Sequence, residues 1–219
     1  MDFTDSTRAT YDTVAVDYEA MLRDHLDQTP LDRHLLQLFA ERITSGPVAD
    51  LGCGPGRLTA FLRSLGVDVR GLDLSPGMIA VARQRHPDVC FVTGDLRALP
   101  YGDRELSGAL AWYSIIHLPP DDLPLVASEL ARVVRPGGPV LLAFQVGVGE
   151  HVHSTQAYGH PVDRHTFRHD PAAVVDALCA SGLRTTVQVT RQPELAYETT
   201  VQAYVMASSD GPLDGDHGR

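Results

Sequence analysis

Three glycines at alternate positions follow a short apolar run that ends in an acid, in the segment Val48-Ala49-Asp50-Leu51-Gly52-Cys53-Gly54-Pro55-Gly56. The next residues, 57–65, carry apolar side chains at helical spacing. This pattern predicts a strand, a glycine turn and a helix, a geometry that presents backbone N–H groups to a nucleotide-like ligand. Glycine suits these positions because a Cβ would block the ligand and because turn residues can require a positive φ.

A second acid lies at the distance expected for a ribose ligand. Asp73 ends the segment Val67–Asp73, 19 residues after Gly54, and an acid about 20 residues after such a turn accepts from ribose hydroxyls. Dinucleotide sites space their glycines G-x-G-x-x-G, whereas here they run G-x-G-x-G and Arg57 takes the last position. Asp50 is a poor neighbour for a pyrophosphate but a good one for an ammonium group. These features argue against a nicotinamide oxidoreductase.

The segment Asp50–Gly56 resembles, residue for residue, the first motif D/E-x-G-x-G-x-G of the class I S-adenosylmethionine-dependent methyltransferases. Two further segments support the resemblance, which covers roughly residues 8–207. Tyr11-Asp12-Thr13-Val14-Ala15-Val16-Asp17-Tyr18 is similar to the Y-D-x-x-A-x-x-Y opening of their small-molecule, type 11 (UbiE-like) group. Arg132–Gly138 is similar to the R-x-L-K/R-P-G-G element that precedes their fifth strand.

The resemblance implies S-adenosyl-L-methionine as the cofactor. Asp95 lies 22 residues after Asp73, where the family places an acid on the adenine amino group, although a turn aspartate satisfied by its own loop would look the same. The two tyrosines of the opening motif either cover the cofactor or simply pack, and Arg57 either pairs with the cofactor's carboxylate or lies on the surface. The candidate cofactor residues are Tyr11, Tyr18, Asp50, Gly52, Gly54, Gly56, Arg57, Asp73, Leu74, Met78, Asp95, Leu96 and Trp112.

Helical and strand-like segments alternate along the chain, which predicts a doubly wound α/β sheet. The resemblance implies a Rossmann-like, seven-stranded order 3-2-1-4-5-7-6 with an antiparallel seventh strand, and a terminal hairpin of Leu183–Thr190 and Val201–Ala207 fits it. We expect one methyltransferase domain over residues 1–207, with residues 1–45 forming helices that lid the cofactor. Residues 146–169 are predicted to be a loop and residues 208–219 a disordered tail.

Catalysis of methyl transfer to a neutral nucleophile calls for an aromatic wall near the sulfonium and for a base. Trp112 and Tyr113, at the end of the fourth strand, suit the wall, and we predict Tyr113 and His117 as catalytic residues. His117 either takes the proton or only orients its loop. His151, His153 and His160 in the predicted 146–169 loop are the alternative bases. We predict no metal site, because no acid/His or Cys/His spacing of ligand type is evident.

Composition restricts partners and location. The net charge is −10 and all 18 basic residues are arginine, which disfavours nucleic acid as a partner. No apolar run reaches the ~18–20 residues of a membrane span, the first residues do not resemble a signal peptide, and three scattered cysteines suit reduced thiols. We therefore expect a cytoplasmic monomer or homodimer that methylates O, N or C of a small molecule. A non-catalytic protein that only binds the cofactor is the alternative.

Overall fold

The computed structural model describes residues 3–209, which fold into six α-helices and nine β-strands. The helices are α1 Thr4–Leu22, α2 Pro30–Glu41, α3 Arg57–Ser64, α4 Pro76–Arg85, α5 Leu123–Val133 and α6 Pro171–Ala180. The strands are β1 Val48–Leu51, β2 Val69–Asp73, β3 Phe91–Thr93, β4 Gly108–Trp112, β5 Pro139–Gln145, β6 His151–Ala157, β7 His160–Phe167, β8 Arg184–Arg191 and β9 Gln202–Ser208.

Seven of these strands form one sheet in the order β3-β2-β1-β4-β5-β9-β8. Neighbouring strands from β3 to β5 are parallel, and β9 is antiparallel to both β5 and β8. Apart from the β6–β7 hairpin, this is the predicted order 3-2-1-4-5-7-6 with an antiparallel last strand, and the fold prediction is confirmed. The central strands read as apolar runs because every residue of β1 and β4 is buried.

Two apolar layers enclose the sheet. On one face, β-strand residues such as Ala111 and Leu142 pack with Leu130 of α5 and Val174 of α6. On the other face, the alternate strand residues pack with α2 and α3, around the fully buried Phe39. Within residues 3–209, no helix has both the length and the apolar character needed to cross a bilayer.

Residues 146–169 contain a hairpin, so the prediction of a loop was wrong there. Strands β6 and β7 pair antiparallel and apart from the main sheet, and Tyr158 and Gly159 form the turn between them with φ of 52° and 82°. The segment was missed because β6 has no buried residue, and half-buried and exposed positions alternate among mostly polar side chains. A hydrophobic period of two is therefore absent from the sequence.

Helix α1 lies between α4 and the hairpin. On one side, Asp12 Oδ1 accepts from Ser75 Oγ at 2.6 Å and from the Gly77 N–H at 2.7 Å, which attaches α1 to the start of α4. On the other side, Asp17 pairs with His160 near the hairpin turn at 2.7 Å. At the opposite end of the chain, Ser208 closes β9 rather than opening a tail, and residues 210–219 of the predicted tail lie outside the described residues.

Candidate functional site

The glycine turn between β1 and α3 is built as predicted, but its glycines serve different purposes. At Gly52, with φ of 76°, an added Cβ would lie 2.3 Å from the Ser114 Cβ. At Gly54, with φ of 54°, the nearest atom to an added Cβ is 3.8 Å away on Tyr18, so the Cβ would occupy the cleft itself. Gly56 lies against the ring of Phe91. Of the three, Gly54 is therefore the one that leaves room for a ligand.

Asp73, at the end of β2, connects the glycine turn to the start of α4. Its Oδ2 accepts from the Gly54 N–H and its Oδ1 from the Ser75 N–H, both at 2.8 Å. Burial raises the pKa of this carboxyl to about 6. Since a carboxylate has about four acceptor positions, Asp73 keeps capacity for hydroxyl donors of a ligand.

Asp50, Gly56 and Arg57 are predicted cofactor residues that do not line the cleft. The buried Asp50 accepts from Thr59 Oγ1 at 2.6 Å, and burial raises its pKa to about 6. Asp50 therefore fastens the start of α3 to β1. Arg57 is not a free surface arginine, since its Nη1 is buried and has no hydrogen-bond partner among the described residues.

The remaining predicted residues meet in one cleft at the carboxyl ends of the strands, covered by α1. The cleft encloses about 760 Å³, counting its open mouth. The predicted residues that line it are Tyr11, Tyr18, Gly52, Gly54, Asp73, Leu74, Met78, Asp95, Leu96, Trp112, Tyr113 and His117.

Aromatic rings form much of the cleft wall. Trp112 and Tyr113 meet edge to face with ring centroids 6.1 Å apart, and Tyr11 and Tyr18 do so at 5.9 Å. Tyr113 has φ of 53°, a left-handed conformation that is uncommon for a residue with a large side chain. Burial raises the pKa of the Tyr113 and Tyr11 hydroxyls, so both stay neutral.

His117 is held by hydrogen bonds at both ring nitrogens. Its Nδ1 lies 3.2 Å from the carbonyl oxygen of His165, and its Nε2 lies 2.8 Å from the Tyr11 hydroxyl. A carbonyl can only accept, so Nδ1 carries the proton and Nε2 accepts from Tyr11. Burial lowers the pKa of His117 to about 4, and the ring is therefore neutral at pH 7.

Asp95 is paired within the protein. Arg97 Nη2 donates to Asp95 Oδ2 at 2.8 Å, and the Arg97 backbone N–H donates to Asp95 Oδ1 at 2.8 Å. The same guanidinium reaches Thr4 of α1 and Asp122 before α5. Arg97 thus fastens the first turn of α1 to the cleft, and a ligand amino group would share Asp95 with it.

Sequence reasoning missed one side of the cleft. Residues three, four and seven positions apart on one helix share a face, and α1 places its residues on the cleft in this way. Ser114 and Leu118 also line the cleft. The signal was present in the helical spacing, but only the tyrosines were read from it. The cleft residues of α1 are Thr4, Thr7, Arg8, Tyr11 and Tyr18.

The three histidines predicted as alternative bases do not line the cleft. His151 contacts His165 through its Nε2 at 2.8 Å, and His153 contacts Asp163 at 2.7 Å. His160 contacts Asp17. All three are therefore engaged on the hairpin rather than facing the cleft.

Comparison with known proteins agrees with this geometry. Residues 48–138 match a family model described as a methyltransferase domain. A malonyl-[acyl-carrier protein] O-methyltransferase of Erwinia billingiae is 36% identical over 128 residues, covering 58% of this chain and 49% of the relative. A demethylmenaquinone methyltransferase of Beutenbergia cavernae is 38% identical over 96 residues, covering 44% of this chain and 39% of the relative. The chain thus matches about half or less of these relatives' lengths.

Over residues 48–138 the chain resembles the class I S-adenosylmethionine-dependent methyltransferases. Its fold is similar to that of DhpI, whose structure is solved in complex with SAH, with a TM-score of 0.74 and 24% identity. The similarity covers 95% of this chain and 97% of DhpI. The cofactor of the family is S-adenosyl-L-methionine.

The cleft fits this cofactor on three observations. Gly54 leaves the turn open to the cleft, and Asp73 keeps acceptor capacity there. Ser114 Oγ, which belongs to a cleft residue, is buried without a hydrogen-bond partner among the described residues, as is Nη1 of Arg57. Such orphaned donors are costly unless a ligand or water satisfies them.

Proposed function

We propose that the protein transfers the methyl group of S-adenosyl-L-methionine to an O, N or C nucleophile of a small organic molecule. The observation that carries this proposal is the cleft in which Gly54, Asp73 and the aromatic residues Trp112 and Tyr113 meet. The polar groups would hold a nucleoside, while the rings would face a cation.

Several predicted residues have a role in holding the cofactor under this proposal. Asp73 accepts from the ribose hydroxyls, and Leu74 and Met78 contact the adenine. Asp95 accepts from the adenine amino group while still paired with Arg97, and the adjacent Leu96 packs there. Asp50 and Gly56 act indirectly, through the position of the turn.

Arg57 is the candidate partner of the cofactor's carboxylate. Its buried Nη1 has no hydrogen-bond partner among residues 3–209, and burial lowers the pKa of the guanidinium. A carboxylate would satisfy both the hydrogen-bond donor and the charge. Reaching Arg57 would require the ligand to extend behind the turn, since this residue does not line the cleft.

When bound, the cofactor supplies an activated methyl group on a positively charged sulfur, and the protein's task is to orient the acceptor and exclude water. Trp112, Tyr113, Tyr11 and Tyr18 present aromatic rings that attract a cation. None of these four phenol and indole side chains carries a charge that would oppose the sulfonium.

His117 and Tyr113 are the proposed catalytic residues. His117 Nε2 already accepts from Tyr11, so an acceptor molecule would either displace this hydroxyl or pass its proton through it. With a pKa of about 4, the imidazole is a weaker base than an exposed histidine but is wholly in the accepting form at pH 7. Tyr113 would complete the wall on the side of the reacting methyl.

The acceptor is proposed to be a small molecule rather than nucleic acid, since the net charge of −10 opposes binding to a polyanion. We propose a cytoplasmic protein that acts as a monomer or homodimer. The three free cysteines support this location.

The function is tested by incubating the protein with a metabolite pool and S-adenosyl-L-methionine labelled in its methyl group. We expect label in a small organic product and formation of the demethylated cofactor, both weaker with Asp73→Ala at limiting cofactor. Cofactor binding with no transfer to any member of several pools would instead favour a non-catalytic binding protein.

A further inference from the structure

Three side chains on one face of the hairpin bring potential metal-ligand atoms close together. His153 and His165 are directly opposite each other in the β6–β7 register, and Asp163 lies two residues before His165, hence on the same face. His153 Nε2 is 2.7 Å and His165 Nε2 is 3.2 Å from Asp163 Oδ1. One ligand atom from each of the three residues lies within 4.8 Å of the other two.

These side chains also contact one another and their neighbours. The rings of His153 and His165 stack with centroids 4.6 Å apart and an interplanar angle of 6°. His165 Nδ1 contacts His151 Nε2 at 2.8 Å, and Ser6 Oγ donates to Asp163 Oδ2 at 3.0 Å. Metal-binding histidines commonly have their second nitrogen held by such a hydrogen bond, and ligating carboxylates are themselves hydrogen-bonded.

The donor set matches a divalent transition metal. Two imidazoles and one carboxylate are ligands of Zn²⁺, with bonds of ~2.0–2.2 Å that place neighbouring donors roughly 3.3 Å apart in a tetrahedron. The observed 2.7 and 3.2 Å separations are close to this value. The two imidazoles would turn out of their parallel stack so that both Nε2 atoms face one ion. The side chains of His153 and Asp163 are 47% and 65% exposed, so an ion can enter from solvent and water can complete its coordination.

We propose that His153, Asp163 and His165 bind one divalent transition-metal ion, with Zn²⁺ the best match. The ion would lie on the hairpin, outside the cofactor cleft. It would fix His165, whose carbonyl accepts from His117, and Asp163, which contacts Ser6 of α1. The site would thereby join the hairpin to α1, and its role is to position these elements rather than to take part in methyl transfer.

Calorimetric titration with ZnCl₂ tests the proposal. The exposed Cys90 and Cys179 can bind Zn²⁺ adventitiously, so the titration uses the full chain carrying Cys90→Ser and Cys179→Ser. We expect one ion per chain with a Kd in the micromolar range or tighter. Asp163→Asn and His153→Gln should each weaken binding more than 100-fold, and His151→Ala should weaken it by on the order of 10–100-fold, as for a residue that orients a ligand.

His160→Gln is the matched control. His160 and Asp17 form a pair with the same 2.7 Å separation but have no third ligand among residues 3–209, so this variant should bind Zn²⁺ like its parent. Co²⁺ substitution adds a spectroscopic readout, for which we expect nitrogen and oxygen ligation. Circular dichroism confirms that each variant is folded.

Three results would overturn the proposal. These are the absence of Zn²⁺ binding by the parent, binding that survives both Asp163→Asn and His153→Gln, and binding that disappears in His160→Gln. A thiolate-to-Co²⁺ charge-transfer band would overturn it as well, because it would place the ion on Cys53, the remaining cysteine.

Discussion

Replacement of Asp73 is the sharpest perturbation of the cofactor site, because this carboxylate joins the glycine turn to the cleft. A ribose hydroxyl that donates to it would form a charge-assisted hydrogen bond of roughly 1.5–3 kcal/mol. Since about 1.4 kcal/mol corresponds to a factor of ten in Kd, Asp73→Ala should weaken S-adenosyl-L-methionine binding by roughly 10- to 150-fold. Calorimetry at pH 7.5 measures this directly.

Asp68→Ala is the control, because Asp68 is an exposed acid that precedes β2 by one residue. Its removal should change Kd by less than about twofold, as expected for a surface position without a ligand contact. Asp73→Ala also leaves the Gly54 and Ser75 N–H groups without their acceptor and should lower the Tm. Asp73→Asn keeps an acceptor oxygen, so it separates the effect on loop stability from the effect on cofactor affinity. Equal losses of affinity at positions 68 and 73 would refute the assigned site.

The same carboxylate predicts how affinity depends on pH. Burial raises its pKa to about 6 without ligand, and hydroxyl donors favour the ionised form. Affinity should therefore fall as the pH drops below 6, by up to about tenfold per unit for one proton. Asp50 also has a pKa of about 6. The contribution of Asp73 to the pH dependence of affinity is therefore the difference between the wild type and Asp73→Ala. A wild-type affinity that is constant from pH 7.5 to 5 would contradict this.

Three further predictions concern His117 and Gly54. His117→Ala should lower turnover by roughly 10²–10⁴-fold with cofactor affinity nearly unchanged, and near-full turnover of this variant would exclude a base role. Because the pKa of His117 in the wild type is about 4, kcat at saturating cofactor should not decline near pH 6.5. Below pH ~6.5 the His117 imidazole takes up a proton in the unfolded chain, whereas it stays neutral in the folded protein. The free energy of unfolding of the wild type, measured by urea denaturation, should therefore decrease relative to that of His117→Gln as the pH falls from 6.5 to 4. Gly54→Ala should abolish measurable cofactor binding while costing about 1–2 kcal/mol of stability for the left-handed backbone, and retained binding would contradict the open approach at this residue.

The sheet could be predicted because its signals are local. The apolar run before Asp50, the glycine turn and the terminal acid Asp73 each follow from burial or backbone geometry at that position. Ser75 is a helix N-cap whose Oγ accepts from the Met78 N–H at 3.0 Å, as its place before Pro76 predicts. Such features require no knowledge of distant residues.

The hairpin and the metal-ligand cluster depend on contacts across the chain. His151 and His153 on β6 and Asp163 and His165 on β7 have the alternate spacing of residues that share a strand face. This spacing carries meaning only when the two segments are known to pair. The polar character of the strands, of which β7 packs on α1, concealed that pairing from a search for apolar alternation.

The partners of the site residues also escaped prediction. Arg97 is one residue after the predicted Leu96, yet its role arises because Thr4 and Asp122 approach it from remote segments. The pKa of His117 depends in the same way on α1 and β7, which bury it. Sequence spacing identified the residues, whereas their protonation states followed only from the assembled fold.

The central claim, a cleft built for S-adenosyl-L-methionine and not for a dinucleotide, is tested most directly by calorimetric titration of the full chain with that cofactor and, in parallel, with NAD. We predict one binding site with a Kd in the micromolar range for S-adenosyl-L-methionine and no measurable heat of binding for NAD. Comparable affinity for NAD, or an absence of S-adenosyl-L-methionine binding by the folded protein, would contradict the claim.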